Sequence, residues 1–189
     1  DNSFDADGKV ITDFAFTADT ANAVAIQSDG KIIAVGATDT DTSILNDNDF
    51  VTVRYNADGS LDTSFDGNGS AIMNVGSGSS NGRAIAIQPD GKIVTAGSGI
   101  FDNRRSGFAV ARFYPDGTLD ESFDGDGLVG TNILDYAAAS TVAIQSDGKI
   151  VVGGYAATNN TSFADFALVR YNPNGSLDTT FDGDGKTII

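Results

Sequence analysis

The chain repeats itself three times, and this repetition constrains its fold more than any other feature of the sequence. The phrase Ala-Ile-Gln-x-Asp-Gly-Lys begins at Ala25 and returns at Ala86 and at Ala143. The copies are about 59 residues apart. A period of this length is typical of tandem arrays, in which one supersecondary unit recurs along the chain.

Two further phrases recur in the same order, so the repeat accounts for the whole chain. Arg-Tyr-Asn or a variant of it begins at Arg54, Arg112 and Arg170. The phrase Phe-Asp-x-Asp-Gly, or the same phrase with Asn, occurs four times, at Phe4, Phe65, Phe123 and Phe181. We therefore predict one continuous repeat domain with a leftover outer-strand segment and three units, over residues 1–20, 21–74, 75–132 and 133–189.

The first half of each unit has the pattern of a β-hairpin. In the first copy, Val24 to Gln27 is a short apolar run, Asp29-Gly30 makes a tight reversal, and Ile32 to Val35 is again apolar. In the second copy the reversal is Pro89-Asp90-Gly91, which suits a type I turn followed by a left-handed glycine. These residues predict two short antiparallel strands.

The second half of each unit predicts two more strands. Phe50 to Tyr55 carries apolar side chains on both faces, so we expect other elements to cover both sides of this strand. The reversal Asn56-Ala57-Asp58-Gly59 then leads into a fourth, more polar strand through Leu61 and Phe65.

Four-stranded meanders in tandem are typical of β-propeller blades. The small residues Ala23 and Ala25, repeated as Ala84 and Ala86, place the first strand nearest the crowded central axis. Helical solenoids need a period of 3.6 residues, and immunoglobulin-type sandwiches do not repeat a whole four-stranded unit. The predicted fold class is all-β, with three four-stranded antiparallel propeller blades.

The three phrases together resemble the delta-60 repeat, a tandem module of bacterial secreted and surface proteins. They read Ala-Ile-Gln-x-Asp-Gly-Lys-Ile, Asp-Phe-x-x-x-Arg-Tyr-Asn and Gly-Ser-Leu-Asp-x-x-Phe-Asp-Gly-x-Gly, and the resemblance covers essentially all of the chain. The middle copy departs at Ser106-Gly107-Phe108, where Asp49 and Asp165 have no counterpart. The resemblance implies a propeller-like scaffold that is secreted or on the cell surface, and it implies no reaction.

The composition excludes several classes of enzyme. The chain contains neither histidine nor cysteine, so it has no Ser-His-Asp triad, no thiol nucleophile and no zinc site of the usual nitrogen and sulfur type. No pair of carboxylates suited to glycoside hydrolysis stands out from the repeat background. We predict a non-enzymatic structural or binding module; the alternative is a hydrolase or lyase subunit that uses aspartate carboxylates near the ring centre.

The charge of the chain excludes further partners. There are 26 acidic and 11 basic side chains, and the formal net charge is −15. Such a chain repels a phosphate backbone and an anionic membrane surface, so we expect no nucleic acid partner. No stretch of the sequence approaches the roughly 20 apolar residues of a membrane span, so we expect no membrane insertion.

The Asp-x-Asp-Gly phrases also suggest calcium as the one candidate cofactor. Hard cations bind clustered carboxylate and carbonyl oxygens, whereas Asp-Gly is equally what a tight turn requires. The sequence contains no full Asp-x-Asp-x-Asp-Gly loop with a distal acidic ligand. The candidate calcium ligands are Asp66, Asp124, Asp126, Asp182 and Asp184.

Segments that differ between the copies are the candidate binding elements. If the strands of each blade alternate in direction, the repeated turns lie at one end of the blades and the variable segments at the other. This argument assumes that Asp-Gly-Asp-Gly is a kink and not a reversal. The variable segments are Thr38 to Asn48, Ser98 to Ser106 and Ala156 to Ala164, with the links Phe14 to Thr20, Val75 to Asn81 and Ile133 to Ala138. The candidate contacts to a glycan or protein partner are Asp41, Asn46, Asp102, Arg104, Arg105, Asn159 and Asn160; unconstrained loops are the alternative interpretation.

The arginine that recurs in every unit is predicted to be structural. Arg54, Arg112 and Arg170 stand at the end of the third strand. A guanidinium at a fixed place in each copy is expected to bind buried carbonyl groups or an aspartate such as Asp49 or Asp165, and to stack on a neighbouring aromatic ring.

Three blades are too few to enclose an axis, because propellers usually close with about four to eight. We therefore expect self-association into a ring of six or nine blades. The alternatives are a longer parent chain and an open array. The outer segment is represented four times for three blades, and a spare strand suits exchange with a neighbouring chain.

Overall fold

A computed structural model describes residues 2–14, 18–39, 48–101, 105–158 and 163–189. Strands and turns account for the regular structure of these ranges. The described residues include no helix of the length and hydropathy that crossing a membrane requires. The twelve strands are β1 (Thr20–Ile26), β2 (Ile32–Thr38), β3 (Asp49–Tyr55), β4 (Ser70–Met73), β5 (Asn81–Ile87), β6 (Ile93–Ile100), β7 (Ser106–Phe113), β8 (Leu128–Thr131), β9 (Tyr136–Ile144), β10 (Ile150–Ala157), β11 (Asp165–Tyr171) and β12 (Lys186–Ile188).

The strands form three antiparallel meanders of four, which confirms the predicted fold class. Blade 1 has the order β1-β2-β3-β4, and blades 2 and 3 repeat it with β5 to β8 and β9 to β12. A single parallel bridge between Ser106 and Tyr136 joins blades 2 and 3 into one continuous sheet. The three blades do not close a ring.

The outer strand of each blade differs from the prediction. Leu61 pairs with Tyr55 in an isolated bridge, but Phe65 is a buried turn residue, and the strand resumes only at Ser70. The predicted fourth strand through Phe65 is therefore wrong. The physical reason is the left-handed backbone of Asp66 (φ 48°) and its neighbouring glycines, which turns the chain out of the strand and back.

The hydrophobic core lies between consecutive blades. Side chains alternate along each strand, so blade 2 directs Ile93 and Phe113 toward blade 1, and Val94, Phe108 and Val110 toward blade 3. We call the side toward the preceding blade the leading face and the side toward the following blade the trailing face. Every junction between blades thus pairs one trailing face with one leading face.

The two ends of the stack differ from the middle. The third strand is buried on both faces in blades 1 and 2, as predicted, but β11 of blade 3 is open on its trailing face. On the leading face of blade 1, Val51 and Val53 are buried by residues 2–14, which we call the N-terminal strap. Thr12 of the strap shares a hydrogen bond of 2.6 Å between its hydroxyl and the Tyr55 hydroxyl.

Candidate functional site

The antiparallel order of the strands separates two ends of each blade. The turns after β1 and β3 lie at one end, which we call the turn end. The connections after β2 and β4 lie at the other, which we call the loop end. Residues 63–69 interrupt the outer strand, but Leu61 and Ser70 both pair with β3 in the antiparallel sense. The segment is therefore a kink, as the separation of repeated and variable segments had assumed.

At the loop end, the structure describes one of the predicted contact residues. The Arg105 side chain is 53% exposed, and its Nη2 lies 3.2 Å from Asp135 Oδ1 in the link between blades 2 and 3. The Arg105 carbonyl accepts a hydrogen bond of 2.8 Å from the Phe101 amide. The other predicted contacts, Asp41, Asn46, Asp102, Arg104, Asn159 and Asn160, lie outside the described residues.

The links that reach the loop end are anchored to the blades. Ser80 Oγ accepts a hydrogen bond of 3.0 Å from the Phe50 amide, and the Ser80 amide donates one of 2.6 Å to the Asn48 carbonyl. In the same link, the Ser77 amide donates to the Ile100 carbonyl at 2.6 Å. These contacts hold Asn48 and Ile100, which lie in two of the variable segments, against the link between blades 1 and 2. Binding loops are usually positioned in this way by a rigid scaffold.

At the turn end, each blade contains a cluster of a lysine, an aspartate and an arginine. In blade 2, Asp120 Oδ2 lies 2.6 Å from Arg112 Nε and 3.0 Å from Lys92 Nζ. The guanidinium carbon of Arg112 lies 4.6 Å from the centre of the Phe123 ring, within range of a cation–π contact. Blades 1 and 3 repeat these contacts with Lys31, Arg54, Asp62 and Phe65, and with Lys149, Arg170, Asp178 and Phe181.

The aspartate partner of the arginine is thus not the one that the sequence suggested. Asp49 and Asp165 were the predicted examples, but the guanidinium binds Asp62, Asp120 or Asp178. The predicted carbonyl contact is present for Arg54 and Arg112, and the predicted aromatic contact is present for all three arginines. A signal for the correct partner exists in the sequence, because an Asp follows the Arg by the same spacing in every copy.

The cluster keeps its carboxylate ionised. Burial raises the pKa of Asp62 and of Asp120, but hydrogen bonds from the lysine and from a neighbouring serine outweigh this effect, and the net pKa is well below the usual range. For Asp178 the hydrogen bond from Lys149 is the largest influence, and the pKa is lowered again. A carboxylate with this many donors is a poor proton donor near neutral pH, so the cluster suits structure better than acid catalysis.

The same arginines connect one blade to the next. Arg54 Nη1 donates to the carbonyl of Pro115, and Arg112 Nη1 donates to the carbonyl of Pro173. Beside each contact, the amide of Asp66 donates to the Asp116 carbonyl at 2.7 Å, and the amide of Asp124 donates to the Asn174 carbonyl at 2.8 Å. Hydrogen bonds therefore connect consecutive blades at the turn end, and we call these hydrogen bonds the polar ties.

The candidate calcium ligands belong to these same turns. Asp126 Oδ1 accepts a hydrogen bond of 2.8 Å from the Leu128 amide, and Asp184 Oδ1 accepts one of 2.9 Å from the Lys186 amide. Asp66, Asp124 and Asp182 have a left-handed backbone, and burial, followed by the nearby Asp116, raises the pKa of Asp66. Across the described ranges, no three acidic residues are grouped closely enough to hold a metal ion. Calcium binding stays a prediction.

Comparison with known families agrees with this architecture. A family model described as "Domain of unknown function (DUF5122) beta-propeller" matches residues 27–65, 88–123 and 145–181. The matches cover more than half of the chain, one in each blade. The chain belongs to this DUF5122 β-propeller family. Each DUF5122 match contains one complete cluster of lysine, arginine and aspartate. No curated protein matches the chain.

Proposed function

We propose that this DUF5122 protein is a non-enzymatic structural and binding module that contacts a glycan or protein partner, as in adhesion, through the loop end of its blades. One observation carries the proposal: the strand order places the repeated turns at one end and the segments that differ between copies at the other. Variable loops on a rigid scaffold are the usual place for binding residues.

An extracellular setting fits the same proposal. The three recurring phrases resemble the delta-60 repeat of bacterial secreted and surface proteins, which supports a secreted or surface-exposed location. The net charge of −15 disfavours nucleic acid and anionic membrane as partners. A neutral glycan or a protein surface avoids that repulsion.

The positions of the carboxylates support binding over catalysis. The innermost strands β1, β5 and β9 contain no acidic residue, so they supply no carboxylate to a ring centre. The buried aspartates Asp62, Asp120 and Asp178 are held in ion pairs at the turn end. These two facts favour the binding module over the hydrolase or lyase alternative.

A glycan array probed with the labelled chain tests the proposal, and an array of extracellular proteins provides the second arm. We expect a ligand on one array, and we expect binding to weaken at least about tenfold in Arg105→Ala. Lys9→Ala is the matched control, because Lys9 is an exposed cation outside the loop end. Absence of a ligand on both arrays, or a ligand that Lys9→Ala weakens and Arg105→Ala does not, would contradict the proposal.

The calcium prediction needs a separate measurement. The second aspartate of the phrases that begin at Phe123 and Phe181 already binds a backbone amide, so we expect calcium to contribute little to stability. A ligand that binds the folded state raises the melting temperature. We expect equal melting temperatures in calcium and in chelator; a higher melting temperature in calcium that Asp126→Asn and Asp184→Asn abolish would assign the site.

A further inference from the structure

The trailing face of blade 3 is an apolar surface that the rest of the described chain leaves open. Phe166 is 67% exposed there, whereas its counterparts Phe50 and Phe108 are fully buried by the following blade. Val151 and Leu168 share this side of the sheet and are only partly buried. The side chains are those of an internal junction, placed where the described structure has no fourth blade.

The polar ties of the turn end also stop at blade 3. Arg170 contacts Asp178 and Thr180 as its counterparts do. Arg54 Nη1 donates a hydrogen bond to the Pro115 carbonyl of the next blade. Within the described ranges, Arg170 has no such carbonyl acceptor. The open face therefore presents a guanidinium donor beside an apolar patch, which together form half of a blade junction.

The complementary half lies at the other end of the chain. Val24 and Ile26 on the leading face of blade 1 are 66% and 71% exposed, whereas their counterparts in β5 and β9 are partly buried against the preceding blade. By the repeat, Ala57 supplies the carbonyl that corresponds to Pro115. A second copy of this chain thus offers the surface that the trailing face of blade 3 fits.

The shape of the open face agrees with this occupant. A groove of about 280 Å³ on blade 3 is lined by Ser140, Gly153 and Phe166, among others. At the junction of blades 1 and 2 the equivalent place is filled by Gly82, whose Cα packs so closely on Val35 and Phe50 that an added Cβ would clash. The residue that corresponds to Gly82 in a second copy is Ala21, which is small and exposed. Its Cβ has room in this groove because Gly153 of blade 3 stands where Val35 stands in blade 1.

On the leading face of blade 1, the N-terminal strap occupies the position that a preceding blade occupies at the internal junctions. Its Asp5 amide donates to the Asp58 carbonyl at 2.8 Å, which is the same tie that Asp66 and Asp124 make between blades. The strap fills that face incompletely, because a cavity of about 130 Å³ lies between Val10 and Phe14 of the strap and the side chains of blade 1.

The strap is also a sequence copy of the segment that ends the chain. Residues 4–12 and 181–189 both begin with Phe-Asp and continue through Asp-Gly-Lys, and by the repeat they occupy the same position relative to the following blade. The two segments therefore cannot both occupy the same junction at the same time. Residues 181–189 come with a complete blade, so we expect the blade that carries them to bury more apolar surface than the strap alone.

We propose that two copies of this chain associate head to tail, with the trailing face of blade 3 of one copy on the leading face of blade 1 of the other, where residues 181–189 replace the N-terminal strap. Two copies provide six blades, which lies in the usual range for a closed propeller. Three blades per chain and one junction of this kind at each end account for closure without any new type of contact.

Sedimentation velocity of the full chain, its face variants and their mixtures tests the docking. We expect wild type to have at least twice the mass of 19.4 kDa, and we expect Phe166→Asp and Ile26→Asp each to be monomeric, because an unpaired carboxylate is costly in an apolar junction. An equimolar mixture of the two variants should form a heterodimer through the one intact junction. Tyr136→Asp, an exposed aromatic residue at an internal junction, is the matched control and should associate like wild type.

Three results would overturn the docking. They are a monomeric wild type at its highest soluble concentration, a mixture of the two variants that stays monomeric, and a Tyr136→Asp variant that also fails to associate. Circular dichroism of each variant checks folding, and a spectrum like that of wild type is expected for these exposed-site variants.

Hydrogen exchange tests the replacement of the strap. On association, the amides of residues 181–189 should become more protected and those of residues 4–12 less protected, because the Asp182 amide takes the carbonyl that Asp5 holds in the single chain. An associated sample in which residues 4–12 keep their protection would overturn the replacement.

Discussion

At the scale of single residues, one guanidinium serves two tasks. Arg112 neutralises the buried Asp120 within its own blade and donates to the Pro173 carbonyl of the next. Its planar fork reaches both partners at once and lies over the Phe123 ring, which an ammonium group on a flexible chain cannot reproduce. This double use explains why an arginine recurs at this place in every copy.

The tie between blades predicts unequal effects of one conservative change. Arg112→Lys should lower the free energy of unfolding by about 2 kcal/mol, because it loses hydrogen bonds made by a charged donor. Arg170→Lys is the matched control, with both changes made in the Phe166→Asp chain, which is expected to stay monomeric. It should cost less there, since no carbonyl contact to a next blade is described for Arg170. Urea unfolding of both variants measures the difference, and equal losses would contradict a role between blades.

The clusters also predict the pH dependence of stability. The pKa values of Asp62, Asp120 and Asp178 are lower in the folded chain than their ordinary value of 3.8. Their contribution is therefore complete above the unfolded pKa and is lost as the pH falls toward the folded one. We expect a nearly constant free energy of unfolding between about pH 5 and 8 and a steep fall below about pH 4.

Urea unfolding at a series of pH values checks this expectation. Asp120→Asn removes one ionisable partner, so its stability should be lower at neutral pH and should fall less steeply in acid. A wild-type stability that changes mainly between about pH 5 and 8 would show that other groups control the acid response.

At the scale of elements, the kinked outer segment is what joins the blades. Residues 63–69 leave the outer strand, bury Phe65 and bring the Asp66 amide to the next blade. Gly117 of the next blade packs against this amide, because a Cβ added to Gly117 would be 2.6 Å from the Asp66 nitrogen. The glycine of the turn is therefore required by its neighbour as well as by its own backbone.

A pair of variants separates the stability cost of a clash at this close approach from the cost of placing alanine in a left-handed backbone. Gly117 and Gly125 have the same φ of +94°, but a Cβ at Gly125 would meet nothing within 4 Å. Gly125→Ala should cost about 1–2 kcal/mol for the left-handed backbone alone. Gly117→Ala should cost clearly more in urea unfolding, since the blades must also separate; equal costs would contradict the contact.

At the scale of the whole molecule, the described structure is a stack with an open trailing face, a leading face that the N-terminal strap covers only in part, and a large negative charge. Apolar side chains such as Phe166 and Ile26 favour association of copies, whereas a net charge of −15 on each copy opposes it. The balance depends on ionic strength, because salt screens the repulsion between copies but leaves the apolar contact in place.

Salt should therefore strengthen the head-to-tail association. The screening length falls from about 30 Å at 0.01 M to about 10 Å at 0.1 M. We expect the dissociation constant from sedimentation to decrease over this range, with the Phe166→Asp variant monomeric throughout. Association that weakens as salt is added would indicate a junction held by ion pairs and would contradict an apolar one.

Much of the fold could be predicted because its information is local and repeated. The hairpin turns at Asp29-Gly30 and its copies, and the apolar third strands, indicated the blades directly. The outer strand was harder, since a buried phenylalanine beside Asp-Gly fits a strand pattern as well as a turn. Phe65 lies in the turn because the following blade covers it, and that cover comes from residues far along the chain.

The sequence by itself determined the repeat, the all-β class, the four-stranded unit and the exclusion of histidine and cysteine chemistry. Only the tertiary structure decided which aspartate binds each arginine, where the outer strand resumes, and which apolar faces stay open. The physical reason is that turns and strand patterns depend on neighbours in sequence, whereas burial and ion pairing depend on the blade packed alongside. Phe108 and Phe166 occupy the same place in the repeat, yet one is fully buried and the other exposed.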